Sequence, residues 1–193
     1  PQVADLSFTG ATLSETGAFP PDGMGAVGPS QFVVFVNGRL KTFNKATGLA
    51  DGVINADPDV FFASAMTPVG GTVTLNFSSD PQVRYDRLSG RWFLLLIDVP
   101  CTNATCSTVG ANRVMIAVSD AASNGVISPS TVWTFYWFQA DAATFLDYPS
   151  LGIDSKALYI GGDMFTPAGS FSNCSGFVVR KAPLLTGGPT VVT

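Results

Sequence analysis

Histidine is absent from this chain and glutamate occurs once, at Glu15. The first absence removes Ser-His-Asp and Cys-His catalysis, and histidine-ligated zinc, from what these residues can do by themselves. The second means that any paired-carboxylate chemistry has to run on aspartates. Charge is scarce too: 12% of residues are charged, and 10 Lys+Arg against 14 Asp+Glu leave a net −4. With a pI near 4.5, the chain offers no basic patch for nucleic acid. No apolar run approaches the roughly 18 residues that span a bilayer. Nothing reads as a signal peptide, and the chain begins at Pro1 without Met, which suits a mature, processed product.

Cysteine is sparse. Cys101 and Cys106 bracket "CTNATC", a short loop between two apolar runs, and are expected to form a local disulfide; a metal or redox pair is the other reading. Cys174 is left over, either a free buried thiol or the partner of a segment outside this chain. Three sequons, at Asn76, Asn103 and Asn173, would permit glycosylation in a secreted protein.

What is abundant is β-forming sequence. Short runs rich in Val, Phe, Ile, Leu and Trp alternate with Gly, Pro, Asn, Asp and Ser. Examples are "QFVVFV" (31–36), "RLKTF" (39–43), "RWFLLLI" (91–97), "RVMIAV" (113–118), "TVWTFYWF" (131–138), "ALYIGG" (157–162) and "GFVVRK" (176–181). Asn37-Gly38 between two such runs predicts a hairpin. No long segment keeps a 3.6-residue apolar period; "DAATFL" (141–146) allows one helical turn at most.

The runs recur. Segments 20–48, 78–121 and 146–184 each open on an aspartate beside proline: Asp22 after Pro21, Asp80 before Pro81, and Asp147 two before Pro149. A short strand holding Val27, Val83 or Leu151 follows, then a polar turn, then a stronger apolar strand. The aspartates fall 58 and 67 residues apart. A unit of about 60 residues with four antiparallel strands reads as a propeller blade. The second repeat shows all four, at 82–85, 91–97, 113–118 and 131–138. Its charged "YDRLSG" is then the turn between strands, and "RWFLLLI" is a strand covered on both faces. The fold class expected is all-β and β-propeller-like, with about three four-stranded antiparallel blades at 19–77, 78–140 and 141–193. Residues 1–18 form an N-terminal strand or extension.

"PPDGMGAVGPSQFVVFVNG", "DPQVRYDRLSGRWF", "DYPSLGIDSKALYIGGDMF" and the closing "APLLTGGPTVVT" resemble a family of secreted, mostly bacterial repeat proteins predicted to be β-propellers. The resemblance covers most of residues 19–193 and implies fold and export. Members of that family run past the "LLTGGP" segment. Three blades do not close a ring, since propellers use about 4–8. The expected partners are therefore the remaining blades of a longer or cleaved parent chain, or copies of this chain.

In a propeller the first strand of each blade lines the central channel, so Asp22, Asp80 and Asp147 are expected to converge at its mouth. Converging carboxylates call for a cation or protons, and Ca²⁺ suits such a ring as a cofactor. The alternatives are that each aspartate caps its own turn, or that the acids are catalytic. The last follows from "DPQV" and "DYPS", which look similar to the Asp-Pro of five-bladed glycosidase propellers. Such enzymes normally need a glutamate acid, and Glu15 precedes the first repeat. In "VWTFYWF", alternation sends Trp133, Phe135 and Trp137 to one face; Trp133 and Trp137 are candidates for stacking on a glycan, or pack between blades. Arg84, Arg87 and Arg91 read as turn residues pairing with Asp86, or as an anion site. The function expected is an extracellular binding or structural module of a cell-surface or secreted assembly. A glycan-active hydrolase or lyase with its site at the channel mouth is the alternative.

Overall fold

The computed structural model describes residues 3–193. It is all-β, built from three antiparallel sheets standing side by side like blades. The first holds β1 (Met24–Val27), β2 (Gln31–Val36), β3 (Arg39–Asn44) and β4 (Ala50–Ala56), in that order. The second holds β5 (Leu75–Asp86), β6 (Arg91–Cys101), β7 (Arg113–Ser119) and β8 (Trp133–Gln139). The third holds β9 (Phe145–Ile153), β10 (Ala157–Phe165) and β11 (Phe171–Arg180). A fourth strand is only begun there, by a bridge between Val192 and Val179 on the outer edge of β11. Three short helices punctuate the chain: α1 (Leu13–Thr16), α2 (Pro58–Phe61) and α3 (Lys181–Thr186).

The local chemistry explains these elements. Asn37 and Gly38 turn β2 into β3, with Gly38 at φ 77°, the left-handed region that suits glycine. Asp86 caps the β5–β6 turn by accepting from the Leu88 and Ser89 amides at 3.2 and 3.1 Å. The segment 141–146, which allowed one helical turn at most, holds none: Asp141 accepts from Ala143 N and Thr144 N, and β9 starts at Phe145. An Asx turn outcompetes the helix there. "KAPLLT" forms α3, closed by Gly187 at φ 75°.

Two apolar interfaces make the core. Val33, Phe35 and Leu40 of the first sheet meet Val83, Trp92, Leu94, Leu96, Met115 and Ala117 of the second. The opposite face of the second sheet, with Phe93, Leu95, Ile97, Val114 and Ile116, meets Leu151, Leu158, Ile160 and Met164 of the third. This is why "RWFLLLI" is apolar without alternation: both its faces are covered. The aromatic strand β8 follows the expected alternation, with Trp133 and Phe135 against the first interface and Tyr136 and Phe138 in the second. The remaining face of the first sheet, with Phe32, Val34, Val36 and Phe43, is covered by Phe8 and Ala11.

Polar latches cross both interfaces. Buried Gln31 donates to Ile127 O at 2.9 Å and accepts from Ile127 N at 2.8 Å. Trp92 Nε1 donates to Gly125 O at 2.8 Å. Arg91 donates to Leu185 O and Tyr136 Oη to Leu184 O. Lys181, only 2% exposed, forms an ion pair with Asp86 and donates to Asp154 O at 2.8 Å. Apart from the Trp92–Gly125 and Lys181–Asp154 bonds, which stay within one blade, these contacts pin the loop or helix after the third strand of one blade to its neighbour.

Candidate functional site

The innermost strands β1, β5 and β9 lie next to one another. Each has a residue held at positive φ just before or within it: Asp22 ahead of β1 at 41°, Asp80 inside β5 at 57° and Tyr148 inside β9 at 46°. These positions are equivalent. Each lies three residues before a matched cross-strand pair: Gly25 with Val34, Val83 with Leu94, and Leu151 with Ile160. Register shifts interrupt the ladders of β5 and β9 beside Asp80 and Tyr148, so each strand kinks at this point. Asp tolerates the left-handed region through its short polar side chain; Tyr is an unusual occupant.

This corrects the repeat alignment. The residue equivalent to Asp22 and Asp80 in the third blade is Tyr148, with Asp147 one position earlier; likewise Gly25, not Val27, matches Val83. The three acids nevertheless come together. Asp22, Asp80 and Asp147 line one cleft of about 540 Å³ with Asn37, Ser79 and Tyr148. Asp22 and Asp80 are tied to the two ends of one Asn37 side chain, and Asp80 reaches the third blade through Tyr148 N, next to Asp147. Asp80, at 8% exposure, is the buried middle member.

Backbone and amide donors fix this row. Asn37 Nδ2 donates to Asp22 Oδ2 at 2.7 Å and to Pro20 O at 3.0 Å, while its Oδ1 accepts from Asp80 N at 2.9 Å. Tyr148 N donates to Asp80 Oδ2 at 3.2 Å, and Ser79 Oγ to Asp80 Oδ1 at 3.1 Å. Each blade thus passes a hydrogen bond to the next through this row. Burial first, and then the neighbouring Asp80 carboxylate, push Asp22 above the ordinary aspartate range. Burial likewise pushes Asp80 up, helped by Asp147 and opposed by the Tyr148 N–H.

In place of a symmetric ring, the three acids share one cleft in which Asp80 is bonded to groups of both neighbouring blades. Among the described residues no group of three or more acidic, sulfur or imidazole side chains is arranged to hold a metal ion. Nor do the acids cap their own turns: their partners lie on other segments, apart from Ser79 beside Asp80. Exposed aromatic surface surrounds the row, from Phe19 at 86% and Tyr148 at 59% exposure, with Phe77 also open.

The other sequence candidates are elsewhere. Cys101 and Cys106 form the expected disulfide. Cys174 is free and exposed rather than buried; its thiol donates to Asp163 Oδ1 at 2.9 Å, which pushes its pKa up. Trp137 is exposed, with the Arg113 guanidinium 3.7 Å from its ring centroid, and Trp133 packs edge-on against Phe61. Asn76 spends its side-chain amide on Thr67 O at 2.7 Å and Asp98 Oδ2 at 3.0 Å; a glycan there would have to break both. Asn103 and Asn173 are on exposed segments. Arg84 and Arg91 donate to backbone carbonyls, and Asp86 pairs with Lys181 instead of an arginine.

Sequence reasoning missed Asn37, Tyr148 and Phe19. Asn37 carried a signal, the Asn-Gly pair, but that signal speaks for a turn and not for the side chain's reach to two aspartates. No helix among the described residues is long and apolar enough to cross a membrane. No family model, curated protein or solved structure matches the chain.

Proposed function

We propose that the chain is an extracellular propeller-type module of a cell-surface or secreted assembly, and that it binds a glycan segment in the axial cleft. The observation that carries this reading is the cleft's composition: three carboxyls, one from each blade, beside the open rings of Phe19 and Tyr148. Carboxylates accept from sugar hydroxyls, and aromatic faces take the apolar side of a sugar ring. The disulfide and the sequence resemblance support an oxidising, exported setting. Hydrolysis fits less well. Glycosidases normally need a glutamate acid, and the one glutamate, Glu15, pairs with Lys41 at 2.8 Å away from the cleft lining.

Calcium is a second reading, favoured by the three carboxyls lining one cleft, which at neutral pH call for protons or a cation. Affinity electrophoresis through gels of soluble polysaccharides, with EDTA or Ca²⁺, tests both. Retardation that Tyr148→Ala and Asp147→Ala abolish is the expected result. Migration unaffected by every polysaccharide, or retardation that both variants retain, overturns the glycan reading. Retardation lost in EDTA and restored by Ca²⁺ assigns the cation; equal retardation in EDTA removes it.

A further inference from the structure

We propose that a second cleft, beside the start of β7, binds a neutral polyhydroxylated ring, a further unit of the glycan that enters the axial cleft. This extends the glycan reading and rests on it for the class of ligand. The cleft has a volume of about 380 Å³, within the range of small-molecule sites, and lies between the α2–β5 connection and the second sheet. It adjoins the axial cleft along β5. Asn76 lines it, and the next residues of that strand, Phe77, Ser78 and Ser79, line the axial cleft. Asp59, from its wall, accepts from Ser78 N and Ser78 Oγ at 2.7 and 2.6 Å.

Three lining residues each carry a buried polar atom without a partner: Thr67 Oγ1, Asn76 Oδ1 and Arg113 Nε. Such atoms are costly to leave unmet. Other bonds hold these residues in place. Buried Asp98 accepts from Thr67 N at 2.6 Å, Asn76 Nδ2 at 3.0 Å and Arg113 N at 2.7 Å. Asn76 Nδ2 also donates to Thr67 O at 2.7 Å, and Arg113 Nη1 donates to Ala65 O and Met66 O at 2.9 and 2.8 Å. The amide oxygen of Asn76 and the Nε–H of Arg113 are left unspent.

This donor set selects the ligand. The guanidinium N–H only donates, the amide oxygen only accepts, and the threonine hydroxyl does either. Neighbouring hydroxyls on one sugar ring donate and accept, so they match all three. An anion fits worse, because Asp59 and Asp98 stand beside Arg113, the one cationic side chain in the lining among the described residues. A cation would in turn face Arg113. Met66, Pro68 and Val69 supply apolar surface for the C–H face of the ring.

The experiment is a titration of tryptophan emission with neutral methyl hexosides. Trp92 is fully buried, whereas Trp137 is exposed with its ring centroid 3.7 Å from the Arg113 guanidinium, so a ring seated on Arg113 shifts the emission. A saturable shift at millimolar sugar is expected from the wild-type chain, and also from Tyr148→Ala combined with Asp147→Ala, which removes the axial site. Thr67→Val should weaken binding about fivefold, as the loss of one hydrogen bond. Its Tm should not fall, since the hydroxyl it deletes has no partner in the free chain. The absence of any saturable shift, with ordered water alone meeting the three groups, overturns the inference. So does a shift that the axial double variant loses, or wild-type affinity in Thr67→Val. Gel retardation reads the axial cleft and this titration reads the second, so the two readings fail separately.

Discussion

Asn37 and Asp22 meet at 2.7 Å, and the opposite end of the same amide accepts from Asp80 N at 2.9 Å. One buried hairpin side chain therefore spans the boundary between the first two blades. Only an amide supplies a donor and an acceptor in this shape.

Asn37→Asp should expose that dependence. The new carboxylate keeps the acceptor for Asp80 N but replaces a donor to Asp22 with a like charge. A loss of about 1–3 kcal/mol is expected at pH 7, with part of it recovered near pH 4.5. Urea unfolding at the two pH values checks this; an equal loss at both would show that charge is not the cause.

Lys181 and Asp86 behave in the opposite sense. Burial works to raise Asp86, but Lys181 and the Ser89 hydroxyl outweigh it and hold the carboxyl low. A depressed native pKa gives stability that is present above about pH 4 and lost as pH falls. Lys181→Met leaves Asp86 without its counter-charge, and a cost of about 3–5 kcal/mol is expected at neutral pH, measured by urea unfolding. Lys181→Met combined with Asp86→Asn should recover part of that loss.

Gln31 offers a test of the blade latch without titration. Its amide satisfies both backbone groups of Ile127 and also donates to Asp51 at 2.7 Å. Gln31→Leu strands these partners, so a loss of about 1–3 kcal/mol is expected. Tryptophan fluorescence can follow it, because Trp92 is fully buried in the same interface. Unchanged stability would show that water replaces the glutamine at no cost.

The strands were legible because period and punctuation are local properties: "QFVVFV", "RWFLLLI" and "RVMIAV" each fall within an observed strand. The convergence of Asp22, Asp80 and Asp147 was legible through repetition, since equivalent blade positions face one axis. The one-residue displacement of Asp147 was not. It depends on where the ladder of β9 breaks, and proline spacing alone does not fix that register. β5 also begins at Leu75, well ahead of the expected strand, because a kinked strand presents two short patterns in place of one alternation. The aromatic strand gave its facing correctly but hid the partner of Trp137; the stacked Arg113 comes from a neighbouring strand.

Phe8 and Ala11 rest against Phe32, Val34, Val36 and Phe43, on the side of the first sheet where the other two sheets each receive a neighbour. That flank is already occupied by the chain's own leading segment. Any annular assembly joined through it must either peel this segment away or dock onto its outer surface, so Phe8 and Ala11 govern which neighbours the first blade can accept.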